Sequence, residues 1–584
     1  MGLAGGATSG EGIIGKAIAA QHLARVALVL LGVAVAACSQ LSSPGHAEAV
    51  AGRVQQLVAE ERWTDVVDTL RNVAAKDADL EYSYGRALAH LGQWAEARQA
   101  FLAGRRLAPE DKRFPIELAG VAFKQRHYAA AAAWLRRALR IDPEDSYAND
   151  FLGTVYFLEG NLEAALKYWN RVGKPQVNAV QTDPPLRIRP ALLDRAIAFA
   201  PASTLTPPDF LTSKARVAGL EVFPAARFQL AARPDGKVDV LLNFQERNGW
   251  GSNLWEALLG TFSGAAYQTI YPAYFHIGAA AVNVTSLVRW DAQKRRLEAE
   301  FSSPLRQNPR FRYRIGTDLR IENWDIRNSF TGPAPTLGSL NLRQEAGRAE
   351  VDSFNSGRWG WSAGVELSHR NYRNVVPGLA LTPQVLLAGI QLKQYSGIHY
   401  DPLRWPERRL VVSSAASYQV GRIWSQPAEA FGKVQGALRV HWLPRPQDDD
   451  YETQVEARAG GTVGEVPFDE LYMLGMERDN DLWMRAHVGT RDGRKGSAPL
   501  GRCYFLANSE VDKNIYSNGL FTLKLGPFLD SGKITDPSGM LGVDKWMWDT
   551  GAEAKFRVLG VGVTFIWGKD LRSGNNAYYF TAGR

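Results

Sequence analysis

The stretch RFRYRIGTDLRIE at 310–322 alternates with a strict period of two. Phe311, Tyr313, Ile315, Leu319 and Ile321 fall on one face, and Arg310, Arg312, Arg314, Asp318, Arg320 and Glu322 on the other. Successive side chains of a β-strand point to opposite faces, so this pattern reads as a strand with one apolar and one charged side. Two architectures satisfy it. A soluble sandwich turns the apolar face into a core, whereas a membrane barrel turns it onto lipid and its charges into a wet lumen. Weaker copies recur at LEAEF, GVELSHR, GIQLKQYSGIHY, ALRVHWL, TQVEARAGG and FTLKLGPF, separated by turn and loop signals. From about residue 253 helical patterns nearly vanish, and about fourteen to sixteen strands fit the remaining length.

The N-terminus weighs on the choice. Lys16 and Arg25 precede the apolar run VALVLLGVAVAA at 26–37, long enough for an export signal but short for a membrane span. The run ends in Val35-Ala36-Ala37-Cys38, which resembles the lipobox of bacterial lipoproteins. That resemblance implies acylation of Cys38, and Ser39 after it implies sorting to the outer membrane. Residues 1–38 therefore read as a signal peptide with lipobox. No later apolar run is long enough for a transmembrane helix. An exported chain with this many alternating strands favours the barrel, so 253–584 is expected to form an antiparallel transmembrane β-barrel of about 16 strands.

Composition excludes several alternatives. Gly is frequent at 55 residues and aromatics make up 10%, which is compatible with a large β-protein. The net charge of +8 is spread along the chain, so no nucleic-acid partner is expected. Apart from Cys38 only Cys503 remains, which rules out a disulfide framework or a cysteine metal site. The nine histidines show no H-E-x-x-H spacing, so neither a metal nor a cofactor is expected.

Between 50 and 175 the sequence repeats. Gly85, Ala119 and Gly153 are 34 residues apart, as are Trp94, Tyr128 and Leu162, and Ala97, Ala131 and Ala165. Pro109 and Pro143 keep the same step. Small residues let paired helices approach, aromatics fill the neighbouring groove, and proline ends the second helix. The period resembles tetratricopeptide repeats, an all-α solenoid. Residues 51–78 read as a degenerate first unit.

Residues 186–250 read as a small α+β domain. DRAIAFAP is a candidate strand, PPDFLTSKARVAGLE a helix, and ARFQLAA, the turn RPDGK and VDVLLNFQER a hairpin. The run from Gly219 through Phe223, then Asp235-Gly236-Lys237-Val238-Asp239-Val240 and Glu246-Arg247, resembles a polypeptide-transport-associated (POTRA) domain.

The segment from VPFDELYMLGMERDNDLWMRAHVG to GPFLDSGK, at 466–533, resembles the late strands and sixth loop of the BamA/TamA-type (bacterial surface antigen) outer-membrane superfamily. That loop folds into the lumen and ends in V-R-G-F or L-R-G-Y. Here Met484-Arg485-Ala486-His487 stands at the tip, with Ala for the Gly and His for the aromatic. The resemblance implies that Arg485 is gripped by Glu510, in LANSEVDKN, and Asp530, in PFLDSG. A planar guanidinium suits paired carboxylates.

Other motifs are resisted. GWSAG at 360–364 matches the nucleophile elbow, but Ser362 sits where alternation continues and no helix follows, so no enzyme is expected. GTRDGRKGSAP at 489–499 lacks phosphate-loop spacing. QDDDYE at 447–452 reads as solvated surface charge, and Trp546 and Trp548 as part of an aromatic girdle.

The implied function is insertion or translocation of unfolded or secreted polypeptides at the bacterial outer membrane. N-terminal domains would lie in the periplasm, and the repeats would recruit the client or a chaperone. Outer-membrane lipid is the other expected partner. Alternatives are a tetratricopeptide-barrel port for polysaccharide export and a non-transporting surface or receptor barrel.

Overall fold

The computed structural model describes residues 44–327, 335–445, 450–518, 521–536, 541–558 and 561–583. The lipobox with Cys38 and part of QDDDYE lie outside them. The chain divides into two compact units, 1–148 and 149–584.

In the first unit α1 (Pro44–Ala59), α2 (Trp63–Arg71), α3 (Ala78–His90), α4 (Trp94–Leu107), α5 (Arg113–Lys124) and α6 (Tyr128–Ile141) succeed one another. A Cβ on Gly85 would stand 2.5 Å from the Phe101 ring, so α3 and α4 pack at a distance that admits no side chain there. Ala97, Ala119 and Ala131 are fully buried, and Trp94 packs against the same core. Tyr128 meets Phe123 at 5.6 Å between ring centroids.

Helix α7 (Ser146–Leu158) runs across the boundary into the second unit, where α8 (Leu162–Trp169) follows. A Cβ on Gly153 would meet Trp169 at 2.4 Å, and Ala165 is fully buried. Leu162 and Leu166 pack into the core of the small domain that follows.

That domain carries a three-stranded sheet in the order β1 (Val177–Thr182), β3 (Val238–Gln245), β2 (Ala225–Ala232), with α9 (Pro190–Ala196) and α10 (Pro207–Gly219). The hairpin and the second helix fall where the turn and proline signals place them; Gly236 takes φ +78° in the tight turn. DRAIAFAP does not form a strand. Its first residues end α9, which starts at Pro190, and the strand is supplied instead by VNAVQT upstream. Pro at the first helical position outweighed the apolar alternation, and β1 gains its stability from parallel pairing with β3.

The remaining chain forms a closed barrel. Its wall runs through β4 (Thr269–Ile270), β5 (Ala273–Ile277), β6 (Val282–Trp290), β7 (Lys294–Leu305), β8 (Asn308–Arg327), β9 (Thr336–Ser353) and β10 (Trp359–Val376). It continues through β11 (Gly389–Trp405), β12 (Leu410–Trp424), β13 (Glu429–Trp442) and β14 (Tyr451–Gly464). Four two-residue strands, β15 (Tyr472–Met473), β16 (Thr490–Arg491), β17 (Arg494–Lys495) and β18 (Leu500–Gly501), lie in the long loop that follows. The wall is completed by β19 (Cys503–Ser517), β20 (Phe521–Thr535), β21 (Val543–Val558), β22 (Val561–Asp570) and β23 (Asn576–Gly583).

We call the rim bearing the 465–502 loop upper and the rim facing the small domain lower. Burial is inverted relative to a soluble β-protein. On β8, Ile315 is 55% exposed while Arg312 is 1% and Glu322 2% exposed. The apolar face of the alternating pattern is outside and its charges are inside, the arrangement of a barrel whose solvent is hydrocarbon. Outward tryptophans mark both rims: Trp290, Trp424 and Trp567 above, Trp359, Trp405 and Trp442 below. Such paired girdles sit at the two membrane–water interfaces. Trp546 and Trp548 are also exposed on the upper half of β21. The stretch that follows 253 opens with one helix, α11 (Leu254–Phe262), before the first wall strand.

Candidate functional site

The loop between β14 and β19 folds into the lumen and is fixed to many sides of the wall. Asp469 accepts from Arg370 on β10 at 2.7 Å, and Glu470 from Lys393 on β11 at 2.9 Å. Asp479 accepts from Arg289 on β6 and Arg296 on β7, both at 2.8 Å. Lys495 on the loop donates to Glu322 on β8 at 2.6 Å. Arg458 on β14 donates to Asp481 at 2.9 Å. Period-two alternation points the wall charges inward, and the acidic run in FDELYMLGMERDND answers them.

At the loop tip the three residues singled out by the sequence come together. Arg485 donates through Nε and Nη2 to Asp530, at 3.1 and 2.6 Å to Oδ1, and through Nη1 to Glu510 at 2.9 Å. Its backbone N–H also reaches Asp530, at 3.0 Å. The guanidinium lies 3.9 Å from the centroid of the Phe528 ring, a stacked cation. Arg485 is 4% exposed and Asp530 fully buried. Charges held out of bulk water demand such complete pairing.

Register explains why the carboxylates stand there. Asn508 on β19, Asp530 on β20 and Asp549 on β21 are directly opposite one another and form one rung of the sheet. Two like charges side by side repel. The loop answers both, Arg485 at Asp530 and, at Asp549, the Ala486 N–H at 2.7 Å with His487 Nδ1 at 2.9 Å. The tip's departures from V-R-G-F thus have a structural place: alanine keeps the N–H that is used, and histidine replaces aromatic stacking with a polar contact. A Cβ on Gly568 of β22 would stand 2.3 Å from the Arg485 carbonyl oxygen, so the tip fits only because that position has no side chain.

Sequence reasoning missed Glu553 on β21, 3.4 Å from Arg485, and Asp549 itself. It also missed Lys555, which bridges Glu510, Asp512 and Glu553 at 2.8 Å each. The alternation in WDTGAEAKFRV carries these residues on one face, a signal that could have found them. The three acids that group around Lys555 share it, and Glu510 and Glu553 also share Arg485 with Asp530. Beneath the tip lies a cavity of about 470 Å³ whose lining includes Arg439, Arg458, Asp481, Lys555, Arg557 and Thr564. Ser362 sits within β10, opposite Gly397 of β11.

The lower rim is joined to the small domain by charge. Arg312 on β8 donates to the Leu220 carbonyl at 3.1 Å, and Glu221 pairs with Arg312 and Arg314. Glu246 lies 3.1 Å from His276 and accepts from the N–H groups of Arg187 and Ile188. Burial opposes its ionisation, yet His276 and those two N–H donors hold its carboxyl below the usual range.

The architecture defines a class: a β-barrel with outward apolar belts and an inward loop, preceded by a small α/β domain and helical repeats. Among solved structures the chain is similar to BamA from Haemophilus ducreyi lacking POTRA domains 1–3, with 11% identity and a TM-score of 0.41 over 70% of this chain and 84% of that one. It is similar to CdiB from Escherichia coli, with 12% identity and a TM-score of 0.46 over 70% and 76%. The repeats are similar to YrrB, described as a TPR protein with an unusual peptide-binding site, with 20% identity and a TM-score of 0.20 over 21% and 66%. No protein-family model and no curated protein matches the chain.

Proposed function

We propose that the protein is a bacterial outer-membrane barrel that inserts or translocates polypeptides, with a POTRA-like domain and tetratricopeptide repeats on the periplasmic side. The observation that carries this reading is the buried loop tip. Arg485 is held between Asp530 and Glu510, beside Glu553, inside a charged lumen. A long loop anchored from several sides keeps a defined lumen, which suits a machine that handles a chain. Client strands would pair with the open backbone edge of β2, which has a neighbour on one side alone in the three-stranded sheet. Such pairing supplies hydrogen bonds without requiring a sequence. The repeats would capture the client or a chaperone, and no bond-making chemistry is assigned to the chain.

The test is reconstitution in liposomes with an unfolded barrel client. The wild-type protein is expected to accelerate client insertion, and Arg485→Ala to lose most of that acceleration while remaining membrane-embedded. Equal client insertion by both proteins and by empty liposomes would refute the proposal. Glycan passage in its place would establish the polysaccharide port.

A further inference from the structure

The barrel wall contains an odd element. Counting β4 and β5 as one strand interrupted at Tyr271-Pro272, the described residues supply fifteen wall strands. Each neighbour along the wall is antiparallel from β5 through β23. With an odd count, β23 and the β4–β5 strand both run from the upper to the lower rim. They cannot form an antiparallel ladder, and the ring closes on the two residues of β4 alone.

The chain between Arg247 and Gln268 runs the opposite way. It leaves the lower rim where Gly249 and Phe275 exchange backbone hydrogen bonds at 3.0 and 2.7 Å, and it reaches the upper rim at Thr269, opposite Arg289. Helix α11 lies midway along this ascent and packs against β4 and β22. The Tyr271 N–H donates to the Thr261 carbonyl at 2.8 Å, joining the helix end to the strand. Its start is fastened by Asn253, which accepts from the Glu256 N–H at 2.8 Å, and by Glu256, which pairs with Arg247 at 2.6 Å.

The helix is apolar on its open side. Leu254, Trp255, Leu258, Leu259 and Phe262 are all exposed, while Glu256 and Gly260 are buried. Leu254 and Trp255 exceed 65% exposure, so little protein covers this stripe. It continues an existing belt. Trp250, just before the helix, meets Tyr274 edge-to-face at 5.5 Å, and Tyr274 pairs with Val284 on the outward face of the wall.

We propose that α11 is the closing element of the barrel wall, its Leu254–Phe262 stripe lying on the acyl chains of the bilayer. A helix can stand where the ladder is broken because its backbone hydrogen bonds are internal, the condition for any segment facing hydrocarbon. The occupant of the stripe is lipid. The same belt is covered by lipid on the strands to either side, and the helix face carries no exposed charge to suit an aqueous partner.

The proposal rests on the membrane reading, and the test separates the two. In the full chain with Cys38→Ser and Cys503→Ser, Leu258→Cys carries a nitroxide, and the protein is reconstituted in phosphatidylcholine vesicles. Leu319→Cys on the outward face of β8 and Thr564→Cys at the lumen cavity are the references. Power saturation compares access to oxygen, which partitions into hydrocarbon, with access to a water-soluble nickel chelate. Leu258 is expected to match Leu319, oxygen-accessible and shielded from the chelate. If Leu319 behaves as lipid-facing while Leu258 matches Thr564, or is shielded from both probes as by a protein partner, the proposal falls and the membrane reading survives. If Leu319 itself is chelate-accessible, the membrane reading falls first. Leu259→Cys repeats the measurement should Leu258→Cys fail to fold.

Discussion

At the scale of single residues, the contacts of the loop tip set the expected costs. Arg485→Ala leaves Asp530 fully buried with no cation, and removing one partner of a buried pair costs about 3–5 kcal/mol. The loop rather than the wall should give way, since the strands keep their backbone ladder. Limited proteolysis of the folded protein should therefore cut within 465–502 in the variant and not in the wild type. His487→Ala is milder: Asp549 keeps the Ala486 N–H and loses one contact, a cost of about 1–3 kcal/mol read as an intermediate cleavage rate. At the lower rim, Glu246 binds its proton less readily in the folded protein than when unfolded. Its contribution is present above the unfolded carboxyl value and is lost as pH falls through the lower folded one. Acidification should loosen the contact between small domain and barrel in the wild type, seen as faster cleavage near 246–253. Glu246→Gln should be loosened already at neutral pH and respond less to acid.

At the scale of elements, the wall strands are defined by which face meets which solvent. Leu319→Arg places a cation on the outward face of β8, where a barrel strand loses about 2–4 kcal/mol at the bilayer midplane. Chemical unfolding from lipid vesicles should show that loss, whereas an exposed leucine on a soluble protein would show almost none. Gly568→Leu tests the fit of loop against wall: the side chain would meet the Arg485 carbonyl, and the tip should be expelled as in Arg485→Ala. The helices obey the same local reasoning. In the repeats, Gly85 and Gly153 stand where Phe101 and Trp169 cross, which is why the 34-residue step recurs in small residues.

At the scale of the whole molecule, the two units carry separable duties under the proposed function. Deleting 44–148 should leave a barrel that still runs faster on a gel unheated than heated, because wall, loop and small domain all lie in 149–584. Client capture by the truncated protein should be lost; undiminished capture would move the recruiting role to the small domain.

How much of this was legible in the chain differs by range of interaction. Alternation at 310–322 announced a strand with two unlike faces, and the 34-residue step announced paired helices, because both are set by residues close in sequence. The tip arginine and two of its acids were reached through resemblance, and the proline-led helix at 207–219 through local signals. By themselves the residues could not say which face of the strands meets water; that depends on what the closed ring encloses. Nor could they reveal Asp549, Glu553 and Lys555 as neighbours of Arg485, because strand register far along the chain brings them together. Helix α11 was missed although its signals are local: Asn253 caps it with Glu256 three residues on, and Leu254, Trp255, Leu258, Leu259 and Phe262 keep helical spacing; only the parity of the ring shows where an ascending helix stands. Local periodicity determined the elements, and ring closure decided which side of each faces lipid and which charges meet.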